Sequence, residues 1–255
     1  MDIGKAFSYV FEDERWLTKV LIGGLIAIGL FIPIVNFVSS FLLLGYLLSI
    51  ASNVAQGNPR PLPEWTDFGD LLKRGLHAFL IYLVYFIPYL VIYGLFICLT
   101  GVMTGFSNQS DTSSASSAST AAASGIGLLS CLILPVIFLV ALACTTVAYA
   151  AMARYVAHNN TLGEAFKFSE VISTVRSRPG PWLMLLLVGF LAGLASMVGL
   201  IACGVGILFT LFYSMCVQGH ALGQTLAAQG MVPSYTQTPP PGVTPPSYDP
   251  PPSYQ

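Results

Sequence analysis

From Val20 to Ala55 the chain runs for 36 residues without one Asp, Glu, Lys or Arg. A helix rises 1.5 Å per residue, so crossing about 30 Å of hydrocarbon takes about 20 apolar residues. Pro33 and Asn36 interrupt this run, which therefore predicts two short helices joined by a tight turn. The length is barely enough for two crossings, so a hairpin that enters and leaves on the same face is a second reading. Two further pairs follow. Leu76 to Phe106 and Ile126 to Ala153 form one, with Pro88 and Pro135 placed to kink them. Trp182 to about Ala228 forms the other, with a turn near Gly199 to Gly206. Only 8% of the residues are charged and 55% are hydrophobic, whereas soluble domains carry about 25% charge. The fold expected is all-α, a polytopic helical membrane bundle with about six transmembrane segments.

The charges say which way the chain faces. Lys5, Arg15 and Lys19 precede the first pair, and Arg60, Lys73 and Arg74 lie between the first and second. Arg154, Lys167, Arg176 and Arg178 lie between the second and third, which accounts for all ten. Cytoplasmic loops retain Lys and Arg, so these regions and both termini are expected on the cytoplasmic side of the cell membrane. Four acids (Asp2, Glu12, Asp13, Glu14) stand before the first apolar run and no A-x-A-like site follows it. That run is thus expected to be kept rather than cleaved as a signal peptide.

Each pair is preceded by a short amphipathic segment, giving three amphipathic-helix-plus-hairpin repeats at about 1–57, 58–158 and 159–230. Ile3, Phe7, Val10 and Phe11 make the first stripe, Phe68, Leu71 and Leu72 the second, and Phe168, Val171, Ile172 and Val175 the third. Thr161 and Glu164 have the spacing of a capping box. Such stripes either rest in the membrane interface or pack together as a cytoplasmic cap. Trp16, Trp65 and Trp182 fall near expected membrane surfaces and read as interface anchors. Eight serines in residues 107–124 predict a disordered outer loop, and nine prolines in residues 231–255 an extended cytoplasmic tail.

Chemistry-bearing patterns are scarce. The five cysteines lie in apolar stretches without a C-x-x-C pair, which reads as small buried side chains rather than a disulfide or zinc framework. His77 lies at the mouth of the third span and His220 in the last span toward its cytoplasmic end, but no Asp, Glu, Lys or Arg sits at mid-bilayer, which argues against proton-coupled pumping. The polar residues Asn36, Thr145, Thr146, Tyr149, Thr210, Tyr213, Ser214 and Gln218 either line a narrow path or join helices. Gly189 and Gly193 form a G-x-x-x-G packing signal. In Pro59–Asp67, alternate prolines stiffen a strip that seats Trp65. Glu64, Asp67 and Asp70 could instead hold a hard cation, although no known loop pattern is matched. His158 or those three acids are the candidates for an interfacial catalytic pair. No nucleophile elbow, phosphate loop or zinc helix motif occurs, so no enzyme and no cofactor are expected. A net charge of -1 offers no basic face for nucleic acid. The tail repeats Pro245-Pro246-Ser247-Tyr248 and Pro251-Pro252-Ser253-Tyr254. These read first as a solvated low-complexity terminus, and second as ligands for an aromatic groove on a cytoplasmic partner.

Three short motifs carry a resemblance: Asp2-Ile3-Gly4-Lys5-Ala6-Phe7, Gly45-Tyr46-Leu47 and Leu62-Pro63-Glu64-Trp65. In order and spacing the chain, from about residue 1 to 228, resembles the prokaryotic integral membrane family called domain of unknown function 4013. The resemblance implies a multi-pass membrane protein of bacteria or archaea and carries no activity or functional residues. A prokaryotic origin would count against a WW-domain partner for the tail. The expected role is a non-enzymatic scaffold or accessory subunit partnered by the bilayer, by other membrane proteins or by itself. The alternative is a transporter or channel for an uncharged or lipidic solute.

Overall fold

The computed structural model describes residues 2–108, 115–200 and 206–233. It is helical throughout, with no strand among the described residues. A short α1 (Ile3–Ser8) is capped by the Asp2 carboxylate, which accepts from the Lys5 N–H at 2.9 Å. The first hairpin is α2 (Trp16–Ile28) and α3 (Val35–Ala55). The second region holds α4 (Phe68–Tyr85), α5 (Ile87–Asn108) and the long α6 (Ala115–Ala157). The third holds α7 (Leu162–Ala165), α8 (Phe168–Ser177), α9 (Pro179–Met197) and α10 (Gly206–Ala228).

The core forms where α3, α6 and α10 lie side by side and parallel. Gly219 of α10 meets the Leu47 carbonyl of α3, and one turn later Gly223 meets that of Ala51. Tyr149 of α6 donates to Gln218 of α10 at 2.6 Å. The buried residues concentrate in the C-terminal halves of these helices, among them Leu48, Ala51, Ala151, Met152, Leu222 and Leu226. Their N-terminal halves, with α5 and much of α9, expose Phe37, Val38, Leu95, Leu132, Phe138, Leu183 and Phe190. Large apolar side chains exposed in this number are the mark of a surface that water does not cover.

Three helices are long and apolar enough to cross a bilayer: Val35–Ala55, Leu129–Ala157 and Pro179–Met197. Phe68–Tyr85 and Ile87–Val102 make a fourth if the bent pair counts as one. The expected count of about six is not reached on length and hydropathy. Trp16–Phe31 is apolar but short, and the polar C-terminal half of α10, with Gln218, His220 and Gln224, lowers its hydropathy. The bend between α4 and α5 is 56°. It falls at Phe86, where Pro88 in the first turn of α5 cannot donate back to the preceding helix. Pro135 is different: α6 continues through it as one helix.

Two further expectations are corrected. The serine-rich stretch is not a loop from 107 to 124, because α5 reaches Asn108 and α6 begins at Ala115. Alanines at 115, 118 and 121–123, the best helix formers, outweigh the serines between them. Only 109–114 separate the two helices, and they lie outside the described residues, as does the tail from 234 with its Pro-Pro-Ser-Tyr repeats. Nor does Thr161 form the capping box. Its side chain makes no cap hydrogen bond, and the Glu164 carboxylate turns to Arg154 and Lys167.

The amphipathic stripes are split between two faces. Val10, Leu71 and Val171 are buried and Ile3, Phe7 and Val175 half-buried, whereas Phe11, Phe68, Leu72, Phe168 and Ile172 remain exposed. At the turn of the first hairpin, Ile34 has φ +74°, a region in which a β-branched residue is strained. Ile34→Gly is expected to raise the unfolding free energy in detergent by about 1 kcal/mol. A thermal melt that falls instead would show that the side chain outweighs the strain.

Candidate functional site: two charged seams at one end of the bundle

The polar residues gather where the C-terminal ends of α3, α6 and α10 meet the segments between the hairpins. The first seam is built around Lys19, whose side chain is only 5% exposed. Burying an ammonium is costly unless all its donors are used. Here they are: Nζ lies 2.8 Å from Asp13 Oδ2, 2.9 Å from the Leu62 carbonyl and 3.0 Å from Glu64 Oε1. Arg15 also pairs with Glu64 at 3.1 Å, and Arg60 with Glu14 at 2.6 Å. Three cations thus face three carboxylates, leaving no net charge to hold a further ion.

The strip from Pro61 to Trp65 has no regular structure, so its backbone needs side-chain partners. It finds them in consecutive order. Asn53 donates to the Pro61 carbonyl at 3.0 Å, Lys19 to Leu62, and Tyr46 to Pro63 at 3.0 Å. Trp65 then stacks on Tyr46 with ring centres 4.3 Å apart, and its indole N–H donates to the Lys19 carbonyl at 3.1 Å. This seats the strip along α3 and joins residues from three chain segments. Gly45 and Gly75 let α4 press directly on α3, since a Cβ on either would collide with a backbone carbonyl of the other helix.

The second seam is built on Arg154. Its guanidinium pairs with Glu164 at 3.1 Å and also with Glu170, and Lys167 pairs with Glu164 at 2.7 Å. Tyr85 at the end of α4 donates to the Ala165 carbonyl at 2.6 Å, and His158 bonds the Arg154 carbonyl. Arg178 reaches the Ala228 carbonyl, and Gln229 returns a bond to Arg178.

These partners decide the fate of the expected sites. Glu64, Asp67 and Asp70 do not converge: Glu64 serves Lys19 and Arg15, Asp67 caps α4, and Asp70 pairs with Arg74. No cluster of metal-ligating side chains occurs among the described residues. His158 belongs to the other seam. Trp182 is 1% exposed and packs in the core, not at a lipid surface. The ring belongs to the same buried cluster as Leu185, Val188 and Leu222. Trp65 is likewise a contact within the bundle, while Trp16 is half-buried, edge-on to Phe11. From the sequence, Lys19 and Arg154 read only as loop charges, Asp13 only as one of the acids before the first apolar run and Tyr46 only as part of a family motif, while Asn53 was passed over. The available signal was Lys19 at the mouth of an apolar run, six residues after an acid.

The eight polar residues considered for a pathway are also engaged. Thr145 and Thr146 bond carbonyls of their own helix, and Thr210 bonds Ser196. Tyr149 meets Gln218, Gln218 meets Ser214, Tyr213 donates to Phe7, and Asn36 donates to Leu30. The bonds of Tyr149, Thr210 and Tyr213 join helices and that of Asn36 closes a turn, whereas those of Thr145 and Thr146 and the Gln218–Ser214 bond stay within one helix.

Asp13 sets a pH dependence. Burial alone would push its carboxyl up, but the hydrogen bonds from Lys19 and the Arg15 N–H, with the charges of Lys19 and Arg60, outweigh that and hold it low. A carboxyl depressed in the folded state stabilises the fold fully above its unfolded value, and loses that contribution as pH falls through the folded one. Stability should therefore decline as pH drops below about 4. Melts between about pH 5 and pH 2 should show a shallower decline for Asp13→Asn than for the parent chain; equal slopes would remove Asp13 as a cause.

The family model described as protein of unknown function (DUF4013) matches residues 28–205. The match includes the Gly45-Tyr46-Leu47 and Leu62-Pro63-Glu64-Trp65 motifs, which here pack on one another, but not the opening Asp2–Phe7. No curated protein and no solved structure matches the chain.

Proposed function

We propose that this chain, which belongs to the family of proteins of unknown function DUF4013, is a non-enzymatic scaffold or accessory subunit of the cytoplasmic membrane. In this reading three helical hairpins, six membrane-entering segments in all, leave one cytoplasmic platform and return to it. The charged seams and both termini lie on that platform. The observation that carries the reading is the division of the surface. Every described Lys and Arg lies before or at the base of the first hairpin or in the segments between hairpins, while among the described residues the far halves of the helices expose mainly large apolar side chains. The polar groups of the interior bond to one another or to carbonyls, which supports a packing role rather than a conduit.

The second reading, a transporter or channel for an uncharged or lipidic solute, draws on the 56° bend between α4 and α5, since broken helices recur in transporters. Two measurements separate them. Extraction in mild detergent followed by mass determination should give a complex larger than one chain. A monomer without partners would overturn the scaffold reading. Solute flux in proteoliposomes that changes with Gln218→Ala, at equal expression, would favour the transporter.

A further inference from the structure

The first hairpin presents an unusual tip. Between α2 and α3 the chain turns through Gly29–Phe31 and residues 32–34. Its outward side chains are Phe31, Ile32, Ile34, Val35 and Phe37, all exposed, with Ile34 at 83%. A loop that emerges into water ordinarily carries polar side chains. Several backbone groups here are closed from within instead. Asn36 Nδ2 donates to the Leu30 carbonyl at 2.6 Å, the Ile32 N–H to Gly29, the Asn36 N–H to Ile32 and the Phe37 N–H to Ile34. Hydrocarbon demands that kind of closure, because no solvent is there to bond what the turn leaves open.

The length of α2 points the same way. Trp16–Phe31 contains 16 residues, about 24 Å of helix at 1.5 Å per residue. Counted from Lys19, whose ammonium and three acceptors fix the level of charge, only 12 residues remain, about 18 Å. The hydrocarbon is about 30 Å thick. The tip cannot reach the far water from that base without dragging Lys19 and Asp13 into the lipid. Tilting the helices would shorten the reach further.

We infer that α2 and α3 form a re-entrant hairpin whose tip, Phe31 to Val35, ends among the acyl chains past the bilayer midplane and never meets the outer aqueous phase. The occupant of this apolar surface is lipid hydrocarbon. The inference rests on the membrane reading above, with five membrane-facing side chains in place of an external loop. It leaves the platform facing one compartment and makes this hairpin a wedge in a single membrane rather than a pair of crossings.

Single cysteines test it in the full-length chain, with the five native cysteines replaced by alanine. Ile34→Cys is compared with Ser113→Cys between α5 and α6 and Arg60→Cys on the platform. Each is exposed to a membrane-impermeant maleimide from either face of sealed vesicles. The expected result is labelling of Arg60→Cys from one face, of Ser113→Cys from the other, and of Ile34→Cys from neither until detergent is added. Labelling of Ile34→Cys from the Ser113 face makes the hairpin a true double crossing. Labelling from the Arg60 face puts the tip outside the membrane, and either outcome overturns the inference. If Arg60→Cys and Ser113→Cys label from the same face, the membrane topology itself fails. Quenching of a bimane at Ile34→Cys by lipids brominated deep in their acyl chains, compared with lipids brominated near the headgroup, gives an independent measure. Stronger quenching by the shallow bromines would also overturn it.

Discussion

Lys19→Met is expected to cost the fold about 3–5 kcal/mol, the loss seen when one member of a buried ion pair is removed and the other stays. The methionine keeps the volume of the stem but withdraws two hydrogen bonds and an ion pair at once. Asp13, 8% exposed, is left with a buried charge, the Leu62 carbonyl loses its donor, and Glu64 keeps only Arg15. Two-state melts in detergent would register this as a fall of roughly 10 °C or more for a chain of this size. The double variant Lys19→Met with Asp13→Asn removes both charges and keeps the acceptor for the Arg15 N–H. It should recover more than half of the loss, because the penalty lies in the orphaned carboxylate rather than in the missing attraction. Additive losses in the double variant would show that Lys19 acts through Leu62 and Glu64 alone. The strip around Trp65 should loosen in step, read as protease sensitivity near Pro59.

How much of this was legible beforehand differs by kind of interaction. The apolar runs gave helices, and the placement of Lys and Arg gave one charged end, because hydropathy and charge are written residue by residue. The break near Pro88 was legible for the same reason: a missing N–H is a local fact. Partners were not. Glu64, Asp67 and Asp70 look like a cluster along the chain, yet each meets a different neighbour, since Arg15 and Lys19 arrive from some 45 residues away. Trp182 reads as an anchor by position, but it is 1% exposed and belongs to the buried core cluster. The serine-rich stretch misled because serine composition was weighed and its alanines were not. Motifs noted for a family resemblance proved to be one contact: Tyr46 of the second motif stacks on Trp65 of the third and bonds its Pro63 carbonyl. The pairing explains why the two belong together.

Glycine gives the clearest case, and the second large effect. The sequence offers Gly189-x-x-x-Gly193 as the packing signal, but a Cβ on either meets nothing within 4 Å. The close approaches are elsewhere: Gly45 and Gly75 where α3 crosses α4, and Gly219 and Gly223 where α10 lies on α3. Both spacings of four look alike on paper, and only the facing helix distinguishes them. At Gly75 the obstacle is the Phe41 backbone carbonyl, which cannot rotate away as a side chain could. Gly75→Ala must therefore push two helices apart along their contact, and the expected loss is about 3 kcal/mol or more, at the upper end for overpacking. Gly223→Ala, 2.6 Å from the Ala51 carbonyl and 2.5 Å from Val54 Cβ, should cost a comparable amount. Gly189→Ala and Gly193→Ala should lose nothing and gain up to about 1 kcal/mol each from helix propensity. Thermal midpoints of the four variants in one detergent decide the matter. If Gly189→Ala falls as far as Gly75→Ala, then α9 packs on a second molecule through that face, and the oligomer becomes the unit whose stability is being read.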